Sequence, residues 1–377
     1  MVEKKGRFRS KQKVMTSAPR RRNVSHLQGG VGLLTQQASQ MSNNLFIARR
    51  SSGLMSGSLE DRQSGRNLVR LSNPRISQIK NDRLYHLGLD TSNTNMPNEF
   101  GEIKFVVIGE SAGQMEEFAR LLAKDISQSK VNNVENLARG GDSPYVMYKV
   151  EDVLILSHSL GAPSISILLN ELIKLMHHAH CNSMTFIRIG QSGGVGVRPG
   201  TVIVSEQVFD AQLRNSHEVV VMGKPRLWPT KLDGQLAKEL TEMNIPASDG
   251  FEAIAGHTMS TNDFYEGQFR LDGAFADYNE VDKQVFLSQL VEKGIRNIEM
   301  ESTAFAAITH KANIRSAIVC VTNLNRLNGD TITATKEQLD AWDRRPQKLV
   351  SRYIQQNLNM PSSTTKVNFG PNSRNSQ

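Results

Sequence analysis

The amino-acid sequence predicts an α/β fold, with a buried sheet between layers of helices. Short apolar runs typical of buried strands alternate along the chain with longer segments of helical periodicity. Strands that alternate with helices in this way form sheets covered on both faces. Glycines close two of the runs, at Gly109 and Gly190, and polar motifs follow several of them. Ligands of such sheets bind beyond the carboxyl ends of the strands, so these motifs are expected to meet there.

The predicted elements follow from local patterns, taken in chain order. Apolar runs predict strands at residues 103–108, 153–157, 184–189, 201–204, 219–222, 295–300 and 316–321. Helical spacing predicts helices at residues 164–179, 232–240, 282–292, 303–312 and 336–357. The first of these helices is amphipathic, since Ile165, Leu168, Leu172 and Met176 share one face. Pro346 is expected to strain or kink the last helix.

Composition divides the chain into a basic tail at residues 1–70, a domain at 71–359 and a polar tail at 360–377. The first 70 residues hold 14 Lys and Arg against 3 Asp and Glu, whereas the remainder holds 31 against 34. The first tail has few large apolar residues and is expected to stay disordered or extended. It is either a solvated tail or an anchor to an acidic partner, such as nucleic acid, a membrane or a filament.

Cysteine content and hydropathy limit the compartment. There are two cysteines, Cys181 and Cys320, which makes a disulfide scaffold improbable and favours a reducing, cytoplasmic environment. No apolar run approaches the roughly 18 residues of a membrane-spanning helix. His177, His178 and His180 lack the spacing of helical metal ligands, and no Cys/His set has zinc spacing, so no metal is expected.

The segment 264–273, FYEGQFRLDG, places Gln268 and Arg270 two residues apart in a glycine-flanked loop. Uracil presents an acceptor at O4, a donor at N3 and an acceptor at O2. A Gln amide both donates and accepts, and a guanidinium donates twice, so the pair can match this edge. Phe264 could pack on the base. The segment therefore predicts a site for a pyrimidine.

The segment 188–194, RIGQSGG, closes a strand and is expected to open a glycine-rich turn. Successive N–H groups of such a turn can cradle an anion, and Arg188 adds a forked cationic donor suited to phosphate. The alternative is a tight connection with a surface arginine.

In the segment 298–302, IEMES, Glu299 and Glu301 face one side of a strand end and Met300 the other. Such carboxylates suit ribose hydroxyls, and the alternative is a pair of surface acids.

These segments together resemble the uridine phosphorylases of the nucleoside phosphorylase family, from about residue 70 to 357. The resemblance implies a single domain with a mixed central sheet flanked by helices. It implies reversible phosphorolysis of uridine to uracil and ribose 1-phosphate in pyrimidine salvage, with phosphate as co-substrate and no cofactor. It also implies at least a homodimer, because the family histidine that matches His86 reaches the ribose 5′-hydroxyl of the neighbouring subunit.

The resemblance also assigns roles to residues of this chain. Arg188, Gln268, Arg270 and Glu301 would be the catalytic residues. Gly109, Arg188 and Gln191 would bind phosphate. The nucleoside would contact His86, Gln191, Ser192, Gly193, Phe264, Gln268, Arg270, Glu299, Met300, Glu301 and Arg326.

Four positions depart from the family pattern at the phosphate. Glu110 stands at the second glycine of a pair, Gln114 at an arginine, Pro144 at an arginine given by the partner subunit, and Gln191 at a threonine. Glu110 could turn away from the site, and Arg139 could replace a lost cation. Three hypotheses therefore stay open: an active uridine phosphorylase, a weak or inactive relative that serves as a structural or binding component of a larger assembly through its tail, and a hydrolase that uses water.

Overall fold

The computed structural model describes residues 69–126, 134–138 and 143–358. The strands are β1 Arg83–Leu84, β2 Leu89–Asp90, β3 Phe105–Gly109, β4 Met147–Val150, β5 Val153–Ser157, β6 Thr185–Gly194, β7 Val202–Phe209, β8 Ser216–Val221, β9 Lys224–Pro229, β10 Ala253–Ser260, β11 Ile295–Glu299 and β12 Arg315–Asn325. The α-helices are α1 Met96–Phe100, α2 Ala112–Ile126, α3 Ala162–His178, α4 Gly234–Glu242, α5 Pro246–Asp249, α6 Glu280–Glu292, α7 Ser302–Lys311 and α8 Lys336–Asn357.

The central sheet has eight strands in the order β11-β10-β7-β12-β6-β3-β5-β4. It is mixed, because β7 is antiparallel to β12 and β4 is antiparallel to β5, whereas β3, β5, β6 and β12 run parallel. The end of β6 also pairs with β11, through Gly193 opposite Ile298. This pairing brings the carboxyl ends of β6, β11 and β12 to one place, as the site requires.

Hydrophobic residues fill both faces of this sheet. Alternate residues of β3 point to opposite faces, so Val106 and Ile108 join one core cluster while Phe105 and Val107 join the other. Helices α3 and α7 cover the first face, and helices α2, α4 and α8 cover the second. The predicted α/β domain with a mixed sheet between helices is thereby confirmed.

Several local predictions needed correction. The segment after Arg188 is not a turn, since β6 continues to Gly194, paired with β12 across one register shift and with β11 through Gly193 and Gly194. The strand expected at residues 219–222 belongs to the separate hairpin of β8 and β9 rather than to the central sheet. Sequence patterns did not predict α2, β4 or β10. Pro346 lies buried inside the helix α8.

The predicted N-terminal tail lies outside the described residues apart from Val69 and Arg70, and the predicted C-terminal tail at residues 360–377 lies wholly outside them. The backbone N–H of Arg70 donates to the carbonyl of Ala312. None of the described helices combines the length and the hydropathy that a membrane crossing requires.

Candidate active site

A cavity lies beyond the carboxyl ends of the strands β3, β6, β11 and β12. Most of the predicted site residues line it. The lining comprises Glu110, Leu160, Gln191, Ser192, Gly193, Phe264, Gln268, Arg270, Ile298, Glu299, Met300, Glu301, Asn323, Leu324, Arg326 and Ile332. Gly109, Arg188 and His86 are not part of this lining. Sequence reasoning therefore located the cavity, and the structure shows which side chains face it.

The loop between β10 and α6 presents Gln268 and Arg270 to the cavity. Asp272 holds Arg270 in place, with its carboxylate 2.8 Å from Nε and 2.6 Å from Nη2. The guanidinium lies over the ring of Phe264, with Cζ 4.4 Å from the ring centroid. Among the described residues, neither Nη1 of Arg270 nor the side-chain amide of Gln268 has a hydrogen-bond partner. The loop thus offers an unfilled set of donors and one acceptor at the cavity wall.

Asp330 fixes this loop from behind, which sequence reasoning had not assigned. Its carboxylate accepts from Arg326 Nε at 2.9 Å, from the buried Lys283 at 2.9 Å and from the backbone N–H of Leu271 at 3.1 Å. Arg326 in turn donates to the carbonyl of Gln268 at 2.7 Å. Arg326, expected beside the base, holds the backbone of the loop between β10 and α6 in this structure.

Arg188 lies below the cavity, fully buried, and meets three carboxylates. Its Nη1 lies 2.9 Å from Glu299, and its Nη2 lies 2.6 Å from Glu301 and 3.3 Å from Glu110. Glu299 and Glu301 are 4% and 2% exposed, so they are not surface acids. The other oxygen of Glu301 accepts from the backbone N–H of Gly161 at 2.5 Å. One guanidinium thus compensates three acids in a region with little access to water.

This excess of acids alters their protonation. Burial raises the pKa of Glu301 to about 7, opposed by Arg188 and reinforced by the charges of Glu299 and Glu110. Burial likewise raises the pKa of Glu110. Burial penalises the charged form, and the shared guanidinium of Arg188 does not fully offset that penalty for Glu301 and Glu110.

Glu301→Gln is expected to change how stability depends on pH. The folded protein keeps the Glu301 proton to about pH 7, above the ordinary pKa of 4.5. The folded state then binds more protons than the unfolded state between these values, so this group makes the free energy of unfolding fall as pH rises. Glutamine does not titrate. From pH 5 to pH 8, the free energy of unfolding of the native protein should therefore fall relative to that of Glu301→Gln, as measured by urea unfolding. A constant difference would contradict the raised pKa.

Three other predicted residues, Ser192 and Gly193 in the cavity wall and Gly109 outside it, have hydrogen-bonding or packing roles in this structure. The hydroxyl of Ser192 donates to the carbonyl of Val321 at 3.1 Å. A Cβ on Gly193 would lie 3.2 Å from the Arg326 side chain, and one on Gly109 would lie 2.4 Å from Met115. Gly109 thus lets helix α2 approach strand β3 closely.

His86 lies away from the cavity, half exposed, and Glu171 orients it. The Glu171 carboxylate lies 2.6 Å from Nδ1 of His86 and also accepts from the backbone N–H groups of His86 and Leu87. Because the carboxylate requires a proton on Nδ1, Nε2 is left as the outward-facing atom. The neighbouring Ser143 donates to the His86 carbonyl at 2.5 Å, so the loop that carries Pro144 lies beside it.

Asp343 of helix α8 is a site residue that sequence reasoning missed. Its Oδ2 accepts from the side-chain amides of Gln114 and Gln191, both at 2.8 Å. The amide oxygen of Gln191 accepts from Asn323 at 2.7 Å. Burial raises the pKa of Asp343. No sequence pattern links Asp343 to this site, because it lies 152 residues from Gln191 along the chain.

The sequence does not predict metal binding by His177, His178 and His180, and in the structure the rings of His177 and His178 lie 5.5 Å apart between centroids. Nε2 of His178 lies 2.8 Å from Asp82, which also binds Lys174. Within the described part of the chain there is no group of three metal-ligating side chains.

Comparison with known proteins places this geometry in context. Residues 104–355 match the family model described as the phosphorylase superfamily. The chain is 42% identical to mouse uridine phosphorylase 1 over 77% of its length and 93% of that protein. It is 46% identical to the uridine and thymidine phosphorylase of Caenorhabditis elegans over 73% of its length and 91% of that protein. A crystal structure of Schistosoma mansoni uridine phosphorylase in complex with thymidine superposes with a TM-score of 0.73 at 36% identity, covering 77% of this chain and 99% of that one.

Proposed function

Because the chain belongs to the phosphorylase superfamily, and within it to the uridine phosphorylases, we propose that it catalyses the reversible phosphorolysis of uridine. The products would be uracil and ribose 1-phosphate, and inorganic phosphate would be the co-substrate. The observation that supports this most directly is the pair of unfilled hydrogen-bonding groups, the Gln268 amide and Nη1 of Arg270, at the wall of the cavity. A buried site built to bond a polar edge discriminates strongly against a base without those groups.

The chemistry needs no covalent intermediate on the protein. A phosphate oxygen attacks the anomeric carbon C1′ as the bond from C1′ to N1 of uracil breaks. The bonding electrons pass to the uracil ring, where negative charge develops on N1 and O2. Gln268 and Arg270 would stabilise that charge, because donors fixed before the reaction need no reorganisation. Their rigid attachment through Asp272 and Arg326 serves this purpose.

The sugar would lie between the base loop and the end of β11. Met300 and Glu301 line this part of the cavity, and burial raises the pKa of Glu301 to about 7. A carboxyl group held near its pKa can either donate to or accept from the ribose hydroxyls. Glu299 accepts from the backbone N–H groups of Glu301 and Ser302 and so fixes the position of its neighbour.

A homodimer would complete the site, with His86 of one subunit reaching the ribose of the other. The oriented Nε2 of His86 and the exposed Tyr85 and Leu160 support this arrangement. The chain is expected to act in the cytoplasm. Its basic N-terminal residues would bind an acidic partner or filament by charge.

A mixed dimer tests the shared site. His86→Ala and Arg270→Leu homodimers should each be nearly inactive, because every site lacks one residue. After subunit exchange, each heterodimer has one site with both residues. Random mixing then recovers about a quarter of the native activity, since half of the dimers carry one intact site of two. Recovery is read as uracil release per total protein. No recovery despite exchange confirmed by native mass spectrometry would place His86 outside the partner's site.

Uracil release by the purified protein tests the proposed function. Uracil release from uridine should require phosphate and should stop when phosphate is removed by dialysis, and inosine should not be cleaved to hypoxanthine under the same conditions. Equal release without phosphate would indicate the hydrolase. Uridine binding by calorimetry without any release would indicate the binding component that lacks activity.

A further inference from the structure

The position of an anion next to Arg188 is already taken by a side chain of this protein. Oε1 of Glu110 accepts from Nη2 of Arg188 at 3.3 Å and from the backbone N–H of Gln191 at 3.2 Å. A guanidinium together with a main-chain N–H is a donor set that oxyanions bind. Glu110 therefore does not turn away from the site, and its carboxylate uses groups that a phosphate would need. Arg139 lies outside the described residues.

Local geometry permits this insertion. A Cβ built on Gly190 would lie 2.8 Å from Oε1 of Glu110, so a glycine is needed for the carboxylate to approach β6 this closely. Glu110 lines the cavity, and its side chain is 24% exposed. The carboxylate thus lies where a ligand in the cavity can meet it.

A second carboxylate of this chain, that of Asp343, accepts hydrogen bonds from two side-chain amides near the cavity. Asp343 accepts from the side-chain amides of both Gln114 and Gln191, two positions that the family resemblance places at the phosphate. The side-chain amides of Gln114 and Gln191, like the guanidinium of Arg188, therefore donate to acids of the same chain. Arg188 is the one cation in contact with this cluster among the described residues, and Glu299 and Glu301 already use it.

We propose that Glu110 is a specificity-determining residue that occupies the anion position in the free protein, so that inorganic phosphate binds only against its charge. The choice of inorganic phosphate as the ligand at this position rests on the proposed function. Like charges in contact repel strongly in a partly buried site. Phosphate should therefore bind far more weakly than it would beside Arg188 without the charge of Glu110. Asp343 acts in the same direction from the helix α8.

Glu110→Gln tests the proposal, because glutamine keeps the shape and the acceptor for the Gln191 N–H but removes the charge. Burial raises the pKa of Glu110, so the comparison is made at pH 8.5, where a larger fraction of this carboxyl is ionised than at neutral pH. Titration calorimetry with inorganic phosphate, in chloride buffer of fixed low ionic strength, should then show an affinity of the variant for phosphate that is higher by about tenfold or more than that of the native protein. Uridine affinity should stay the same, and in turnover the KM for phosphate should fall while the KM for uridine does not. Glu110→Gly is the second variant and removes the side chain altogether.

Glu252→Gln is the matched control, since it removes one carboxylate from an exposed ion pair with Arg198 outside the cavity. It should leave phosphate affinity at the native value. The proposal is overturned if both Glu110 variants bind phosphate no more tightly than the native protein does. Phosphate binding is measured without turnover, so a failure here leaves the uracil assay unaffected. A chain that releases no uracil can still show the gain in phosphate affinity.

Discussion

Arg270→Leu is expected to lower kcat/KM for uridine by about a thousandfold, the loss that follows removal of one fixed donor from a developing negative charge. The reason is that Nη1 of Arg270 is the part of the guanidinium that no described residue uses, while Nε and Nη2 are held by Asp272. Leucine keeps contact with Phe264 but offers no hydrogen bond. Steady-state uracil release at varied uridine concentration measures the change.

Two further variants separate recognition from loop anchoring. Arg270→Lys keeps the charge without the fork and should recover little activity. Asp272→Asn weakens the tether and leaves Nη1 in place, so it should lose less than Arg270→Leu. If Asp272→Asn were as damaging as Arg270→Leu, then Arg270 would act by holding the loop and not by binding the base.

Arg188→Met is expected to lower the free energy of unfolding by about 3–5 kcal/mol, the cost of leaving buried charges without their partner. Glu299 and Glu301 are nearly inaccessible to water and both contact this guanidinium. Methionine has a similar length and fills part of the space. Urea unfolding at pH 8, where the acids are most ionised, measures the loss.

Two comparisons show whether charge is the cause. Arg315→Met removes an arginine that is one-third exposed and paired with Asp233 and Glu239, and should cost about 1 kcal/mol. Adding Glu301→Gln to Arg188→Met should recover part of the stability, because it removes one of the uncompensated acids. No recovery would mean that Arg188 contributes through packing rather than through charge.

The fold could be predicted largely because its strands are locally apolar. The runs at β3, β5 and β12 are buried on both faces and stand out from their surroundings. The end of β6 could not be predicted, since its glycines look like a turn and become a strand only through pairing with β11 and β12. Strand β10 was not predicted from the sequence either, because Gly256 and His257 interrupt its apolar character.

The residues of the candidate site likewise include some that the sequence predicts and some that only the folded chain brings together. Gln268, Arg270, Met300 and Glu301 belong to compact motifs whose chemistry is visible in a few adjacent residues, and they do line the cavity. Asp330 and Asp343 come from distant parts of the chain, and only the tertiary structure brings them to the recognition loop and to Gln191. Sequence showed that Glu110 breaks the pattern, but its contact with Arg188 required coordinates.

Phosphorus nuclear magnetic resonance of a uridine reaction shows directly whether phosphate is the attacking group. Ribose 1-phosphate should accumulate in equal amount to uracil, at a rate that rises with phosphate up to high concentrations. Replacing Glu110 with glutamine should shift that dependence to lower phosphate. Uracil that forms without ribose 1-phosphate, or a reaction already saturated at low phosphate in the native protein, would contradict these expectations.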